Sequence, residues 1–116
     1  MSEFVIYHNP RCSKSRQALD ILCAHKIEPK VIEYLKTPPD AKTLKALLAK
    51  LGLKPRDILR DGEEEFAMLK LDDPNRTDDD LIGAIVQHPI LLQRPIVVHG
   101  ERAVVGRPPE KVKDLF

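Results

Sequence analysis

Apolar positions near the start of the chain indicate a strand, a helix and a second strand. The β-rich run EFVIY, residues 3–7, is stopped by Asn9-Pro10, which is a turn signal. Apolar side chains then recur at helical spacing from Ser13 or Ser15 to His25. The run KVIEYL, residues 30–35, contains β-branched residues and predicts a second strand. A right-handed crossover through the helix makes the two strands parallel.

The middle of the chain carries helical patterns. Pro38-Pro39-Asp40 predicts the start of a helix with a leucine stripe, and Gly52 is expected at its C-cap. A short helical turn is predicted at PRDILRDG and a further helical piece at EEEFAMLKL. The segment TDDDLIGAIVQHP predicts another helix, because Thr77 or Asp78 can cap it and its first turn is acidic.

The last part of the chain predicts a hairpin and a helix. PIVVHGERAVVG contains two β runs joined at residues 99–101, and PPEKVKDLF has proline in the first turn of a terminal helix. The order β-α-β, helices, β-β-α is that of an α/β thioredoxin-like fold with a helical insertion between its halves. We expect one domain over residues 1–116, with the insertion at about 38–88, because neither part could bury a core alone.

Charge and hydropathy exclude some classes of partner. Lys and Arg number 19 against 18 Asp and Glu, so the formal net charge is +1 and a broad basic face for nucleic acid is not expected. The first residues do not resemble a signal peptide, and the sequence has no apolar run as long as a membrane span. These features predict a cytoplasmic protein that binds neither nucleic acid nor membrane. Cysteines there are usually reduced.

The segment YHNPRCSKSR, residues 7–16, carries the main candidate chemistry. Cys12 falls where the first strand passes into the helix, and the first N–H groups of a helix favour a thiolate and can also bind an anion. Cationic side chains lie nearby in sequence, so we predict a Cys12 pKa below that of a free thiol. His8 could stabilise the thiolate as an imidazolium or hydrogen-bond the loop as a neutral imidazole.

The second cysteine has a different environment. Cys23 lies eleven positions after Cys12 on the same predicted helix, about 16 Å away, which is too far for a disulfide. It falls in the apolar pattern of that helix, so we expect it in the core. A thiol that resolves a Cys12 adduct must then come from another molecule. Ser15 occupies the second cysteine position of a Cys-x-x-Cys motif, and Ser13 and Ser15 are expected to cap the helix or donate hydrogen bonds near the thiolate.

Three arginines lie at the ends of elements that this fold gathers at one edge, namely Arg60, Arg94 and Arg107. In a thioredoxin-like layout the pair Arg94-Pro95, just before the third strand, faces the active cysteine, and the proline is typically cis. Pro95 could instead simply enter an edge strand. The remaining histidines show no ligand spacing, so no metal site is predicted.

With these motifs named, the chain resembles the glutaredoxin-coupled arsenate reductase family over essentially its full length. The matching motifs, in chain order, are YHNPRCSKSR, TPP, LR at residues 59–60, HPILLQRPIVV and GRPPE. The resemblance implies that Cys12 is the nucleophile and that Arg60, Arg94 and Arg107 bind the oxyanion. It also implies that His8 lowers the Cys12 pKa and that Ser15 hydrogen-bonds near the thiolate.

The resemblance further implies the substrates and partners. Arsenate or a similar small oxyanion would be reduced through a Cys12 adduct, with glutathione as co-substrate, glutaredoxin as electron donor and no bound cofactor. One alternative is a glutathione-dependent thiol reductase of the same fold with another substrate. A second is an Spx-like regulator that binds RNA polymerase, although Ser15 removes the dithiol switch of such a protein.

Overall fold

The computed structural model describes residues 3–116, which form a mixed α/β structure. Eight regular elements are β1 (Phe4–His8), α1 (Ser13–Ala24), β2 (Lys30–Glu33), α2 (Ala41–Leu51), α3 (Glu64–Met68), α4 (Asp78–Gln87), β3 (Ile96–His99) and β4 (Arg102–Val105). Short 3₁₀ helices occur at Pro55–Ile58, Pro89–Leu91 and Pro109–Leu115. No helix in this part of the chain is both long and apolar enough to cross a membrane.

The chain divides into two compact units. The first contains the described residues up to Thr37 together with Arg94–Phe116, and the second is Pro38–Gln93. The second unit begins where the helical insertion was predicted to begin and extends beyond its predicted end at about residue 88.

A four-stranded sheet of order β2-β1-β3-β4 forms the centre of the first unit. β1 and β2 are parallel, with His8 opposite Glu33, as the β-α-β pattern predicted. β3 is antiparallel to β1, with Tyr7 opposite Ile96, and β4 completes the predicted hairpin. The end of β1 therefore lies between the end of β2 and the start of β3. This register brings the loop after β1 close to Arg94 and Pro95.

The core of the first unit lies between this sheet, α1 and the C-terminal segment. Its buried members are Ile6, Ala18, Leu22, Val97, Val112 and Leu115. The C-terminal segment is a 3₁₀ helix and not the α-helix that the sequence predicted. Val112 and Leu115 are three residues apart, and three residues per turn place both side chains on the same face, toward the core.

Local capping explains where the two longer helices of the second unit begin and end. The Asp40 side chain accepts the Thr43 N–H at 2.8 Å at the start of α2, and Gly52 ends that helix with a left-handed φ of 69°. At α4, Thr77 and Asp80 form a capping box, with each side chain accepting the other's backbone N–H. These boundaries confirm the caps predicted from the sequence.

Candidate active site

The loop from His8 to Ser13 holds Cys12 at the N-terminus of α1. Cys12 is the N-cap residue, with an extended backbone at φ −93° and ψ 122°, and its side chain is partly exposed. Its N–H donates to the Asn9 carbonyl at 3.0 Å, and its own carbonyl accepts the Arg16 N–H at 3.0 Å. The sulfur is therefore presented at the positive end of the helix dipole by a loop with a fixed backbone.

A buried chain of polar groups fixes the start of this loop. The Ser15 hydroxyl oxygen lies 2.6 Å from His8 Nδ1 and accepts the Asn9 N–H at 3.1 Å. Burial lowers the pKa of His8, an effect that Glu33 opposes and Arg16 strengthens. A neutral His8 that accepts the Ser15 O–H proton fits this geometry. His8 and the Ser15 side chain then support the loop on which Cys12 sits.

The thiol of Cys12 has a pKa below its ordinary value. Burial alone would raise this pKa, but the backbone N–H groups of Ser15 and Lys14 and the nearby Arg94 guanidinium lower it by more. Ser15 thus acts on the sulfur through its main-chain N–H, whereas its hydroxyl bonds His8. The main cation at the thiol comes from a residue far away in sequence.

Two further segments of the first unit carry predicted site residues: Arg94 and Pro95 just before β3, and Arg107 just after β4. The Arg94–Pro95 peptide bond is cis, and Arg107 Nη1 donates to the Arg94 carbonyl at 3.1 Å. Between them, the Gly106 N–H donates to the Pro95 carbonyl at 2.8 Å. A Cβ on Gly106 would lie 2.9 Å from Pro95 Cγ, so only glycine fits without a shift. This close approach holds the two arginine-bearing segments together.

The third predicted arginine, Arg60, belongs to the second unit. An isolated bridge between Leu59 and Leu92 and a 2.8 Å bond from the Arg60 N–H to the Leu91 carbonyl hold its backbone. Its guanidinium is 3.3 Å from the Glu63 carboxylate, with 23% of the arginine side chain exposed. The Arg60 guanidinium therefore faces a carboxylate, and its Nη1 atom makes no hydrogen bond to any described residue.

Tyr34 lies beside Cys12 and Arg94, and the sequence did not single it out. It follows β2 directly and is fully buried at 0% exposure, and its hydroxyl approaches Asn9 and Arg94. Burial raises the Tyr34 pKa, which these two neighbours partly offset, so the phenol stays protonated near neutral pH. The sequence feature that could have indicated Tyr34 is a tyrosine at the carboxyl end of a predicted parallel strand. Within KVIEYL, however, this tyrosine resembles an ordinary apolar strand residue.

The expectation that Cys23 lies in the core was wrong. Cys23 is exposed, while the side chains of α1 that are buried are Ser15, Ala18 and Leu22. Leu22 faces the core, and the next residue along an α-helix is rotated by about 100°, which turns Cys23 toward solvent. The unbroken helix nevertheless separates the Cα atoms of the two cysteines by about 16 Å along its axis, too far for a disulfide.

The sheet order, the cysteine at the start of α1 and the cis-proline before β3 define a thioredoxin-like protein with a single thiol at that position. The chain belongs to the ArsC family, whose model matches residues 7–115.

Similar proteins cover nearly all of the chain. An arsenate reductase from Neisseria meningitidis serogroup A is 47% identical over 117 residues, which is 100% of both chains. The uncharacterized protein YfgD of Escherichia coli K12 is 47% identical over 95% of this chain and 93% of its own. The solved arsenate reductase from Vibrio cholerae has a TM-score of 0.97 and 46% identity, covering 99% of this chain and 98% of its own.

Proposed function

We propose that this protein reduces arsenate to arsenite, with the Cys12 thiolate as the nucleophile. The observation that carries the proposal is the lowered pKa of Cys12 at the start of α1, beside Arg94. A thiolate and an anion-binding helix terminus occur at the same place, as an attack on a bound oxyanion requires. Membership of the ArsC family and the names of the similar proteins support arsenate as that oxyanion.

The first step forms a bond between sulfur and arsenic. The Cys12 thiolate attacks As(V), and one arsenate oxygen leaves as water after taking up protons from solvent. Arg60, Arg94 and Arg107 are the proposed oxyanion ligands, which hold the anion and offset charge as oxygen departs. His8 and Ser15 act through the loop, whose geometry they stabilise.

The electrons come from external thiols. Conversion of arsenate to arsenite takes two electrons, and two thiols joined in one disulfide supply them. Cys23 is too far along α1 to take part, so we assign this role to glutathione, with glutaredoxin reducing the resulting mixed disulfide. We propose that no cofactor is bound and that the reaction occurs in the cytoplasm, where these thiols are kept reduced.

The test is a coupled assay of NADPH oxidation with glutathione reductase, glutathione and glutaredoxin, with and without arsenate. We expect arsenate-dependent oxidation by the wild type and none by Cys12→Ser. Cys23→Ser is the matched control and should retain wild-type turnover, because Cys23 is exposed and distant.

Two results would contradict the proposal. If Cys12→Ser turned over arsenate as fast as the wild type, Cys12 would not be the nucleophile. Turnover of a glutathione mixed disulfide without any response to arsenate would favour the alternative thiol reductase of the same fold.

A further inference from the structure

Several polar atoms in the first unit are buried without satisfying their hydrogen-bonding capacity. The Tyr34 hydroxyl and the Nε and Nη1 atoms of Arg94 have no hydrogen-bond partner among residues 3–116. Tyr34 is 0% exposed. A buried hydroxyl that makes no hydrogen bond destabilises a protein, and a phenylalanine would fill the same space without that cost. The hydroxyl therefore contributes little to the stability of the free protein.

These atoms lie around the start of α1. Glu33 is opposite His8 in the parallel pair, so Tyr34 lies just past the end of both strands, beside the loop that leads to Cys12. Its pKa responds to the side chains of Arg94, Asn9 and Cys12, so these three groups lie around the hydroxyl. The side-chain Oδ1 of Asn9 already accepts the Arg11 N–H at 3.0 Å, so the side-chain amide presents its N–H donors elsewhere.

The polar groups at this place are mostly donors. Arg94 has N–H groups and no acceptor, and the first N–H groups of α1 also point outward from the helix. The Tyr34 hydroxyl makes no hydrogen bond to any described residue, the Cys12 sulfur included, so its O–H proton has no acceptor there. A ligand that satisfies such a cluster must supply several acceptor atoms, and a tetrahedral oxyanion does so.

We propose that Tyr34 is an oxyanion-binding residue whose hydroxyl donates to an oxygen of bound arsenate, beside the Nε and Nη1 donors of Arg94. This inference rests on the proposed function and adds to it a neutral donor that family arginines do not provide. The raised Tyr34 pKa agrees with it, because the phenol keeps its proton beside the anion. The hydroxyl thus binds the anion without adding charge.

The test compares Tyr34→Phe with the wild type by titration calorimetry with arsenate and with phosphate. The matched control is Tyr7→Phe, which removes the hydroxyl of the chain's other tyrosine, on the adjacent strand β1. We expect Tyr34→Phe to bind both anions roughly 10- to 100-fold more weakly, the loss typical for a hydrogen bond to a charged group. Its melting temperature without anion should be equal or higher, and Tyr7→Phe should bind as the wild type does.

The outcomes separate this inference from the function. Unchanged anion affinity in Tyr34→Phe overturns the inference, whatever happens to the melting temperature, and so does a wild type that binds neither anion. Weaker binding by Tyr34→Phe in a protein that shows no turnover supports the inference and contradicts the arsenate reductase proposal. Arsenate-dependent turnover by the wild type together with unchanged anion affinity in Tyr34→Phe supports the arsenate reductase proposal and contradicts the inference about Tyr34.

Discussion

The Ser15 hydroxyl lies 2.6 Å from His8 Nδ1 and connects the end of β1 to the first turn of α1. The same oxygen accepts the Asn9 N–H at 3.1 Å, so one side chain satisfies two buried groups of the loop. Ser15 is 0% exposed and His8 is 6% exposed. The backbone that carries Cys12 is thus fixed by hydrogen bonds that water does not readily replace.

Replacing Ser15 by alanine should destabilise the protein. The change leaves the Asn9 N–H and His8 Nδ1 unpaired in a buried place, at a cost of about 1–3 kcal/mol in the free energy of unfolding. Urea denaturation measures this, with Ser13→Ala as the control because Ser13 is exposed. Equal stability of the two variants would show that the buried chain does not stabilise the loop.

The His8 environment predicts a loss of stability at mildly acidic pH. The pKa of His8 is lowered in the folded protein, so the unfolded chain takes up a proton first as the pH falls through about 6.5. The free energy of unfolding should therefore decrease from that pH down to the folded pKa of His8. Denaturation of the wild type and His8→Gln at about pH 7.5 and 5.5 checks this. Identical pH dependence in both proteins would contradict it.

Arg94 should control the reactivity of Cys12. Removing its guanidinium in Arg94→Ala takes away a charge that favours the thiolate, so the apparent pKa of Cys12 should rise. Iodoacetamide alkylation rates measured across pH give this value. Arg11→Ala is the matched control, because Arg11 is exposed and adjacent in sequence, and should have a smaller effect. A larger shift in Arg11→Ala would assign the activation to the loop cations instead.

Gly106 should not tolerate a side chain. In Gly106→Ala the new Cβ meets Pro95 Cγ at 2.9 Å, and the resulting overpacking should cost about 1–3 kcal/mol of stability. Gly83→Ala is the control: in the described chain, no heavy atom outside its own helix lies within 4 Å of a Cβ there. Because alanine favours a helix, that variant should be stabilised by up to about 1 kcal/mol. Thermal unfolding of both variants tests this difference in stability. Equal changes in melting temperature in the two variants would contradict the prediction.

Cys23 should react in the folded protein. Its exposure on α1 predicts that a maleimide reagent modifies Cys23 as well as Cys12 under native conditions. Mass mapping of the labelled peptides identifies each site. Protection of Cys23 until denaturation would contradict the exposed position described above.

The residue pattern predicted the order of the elements and the caps of α2 and α4. The expected cap of α1 by Ser13 or Ser15 was wrong, because Cys12 is its N-cap residue and no side chain caps that helix. Asp40, Gly52 and Thr77 occupy the predicted cap positions, because capping depends on residues within one turn of each other. Periodicity could not show whether Cys23 is buried. Adjacent positions on a helix differ by a rotation of about 100°, and tertiary packing decides which of them faces the core.

The candidate site was predictable to the extent that local sequence determines it. Cys12 was found from its place between strand and helix, and the thioredoxin-like layout predicted that Arg94 faces it. The sequence could not show that Arg94, and not a cation of the loop, lowers the Cys12 pKa. Tyr34 and the Gly106–Pro95 contact depend on strand register and on close packing between distant segments. Such relationships appear only once the chain is folded.

The unbroken helix between Cys12 and Cys23 makes the proposed catalytic cycle depend on a bimolecular encounter. Each turnover then waits for a thiol that diffuses in from solution, and the rate rises with the concentration of that thiol until another step limits it. Turnover by such a protein would follow the reducing capacity of its surroundings and slow under oxidative stress.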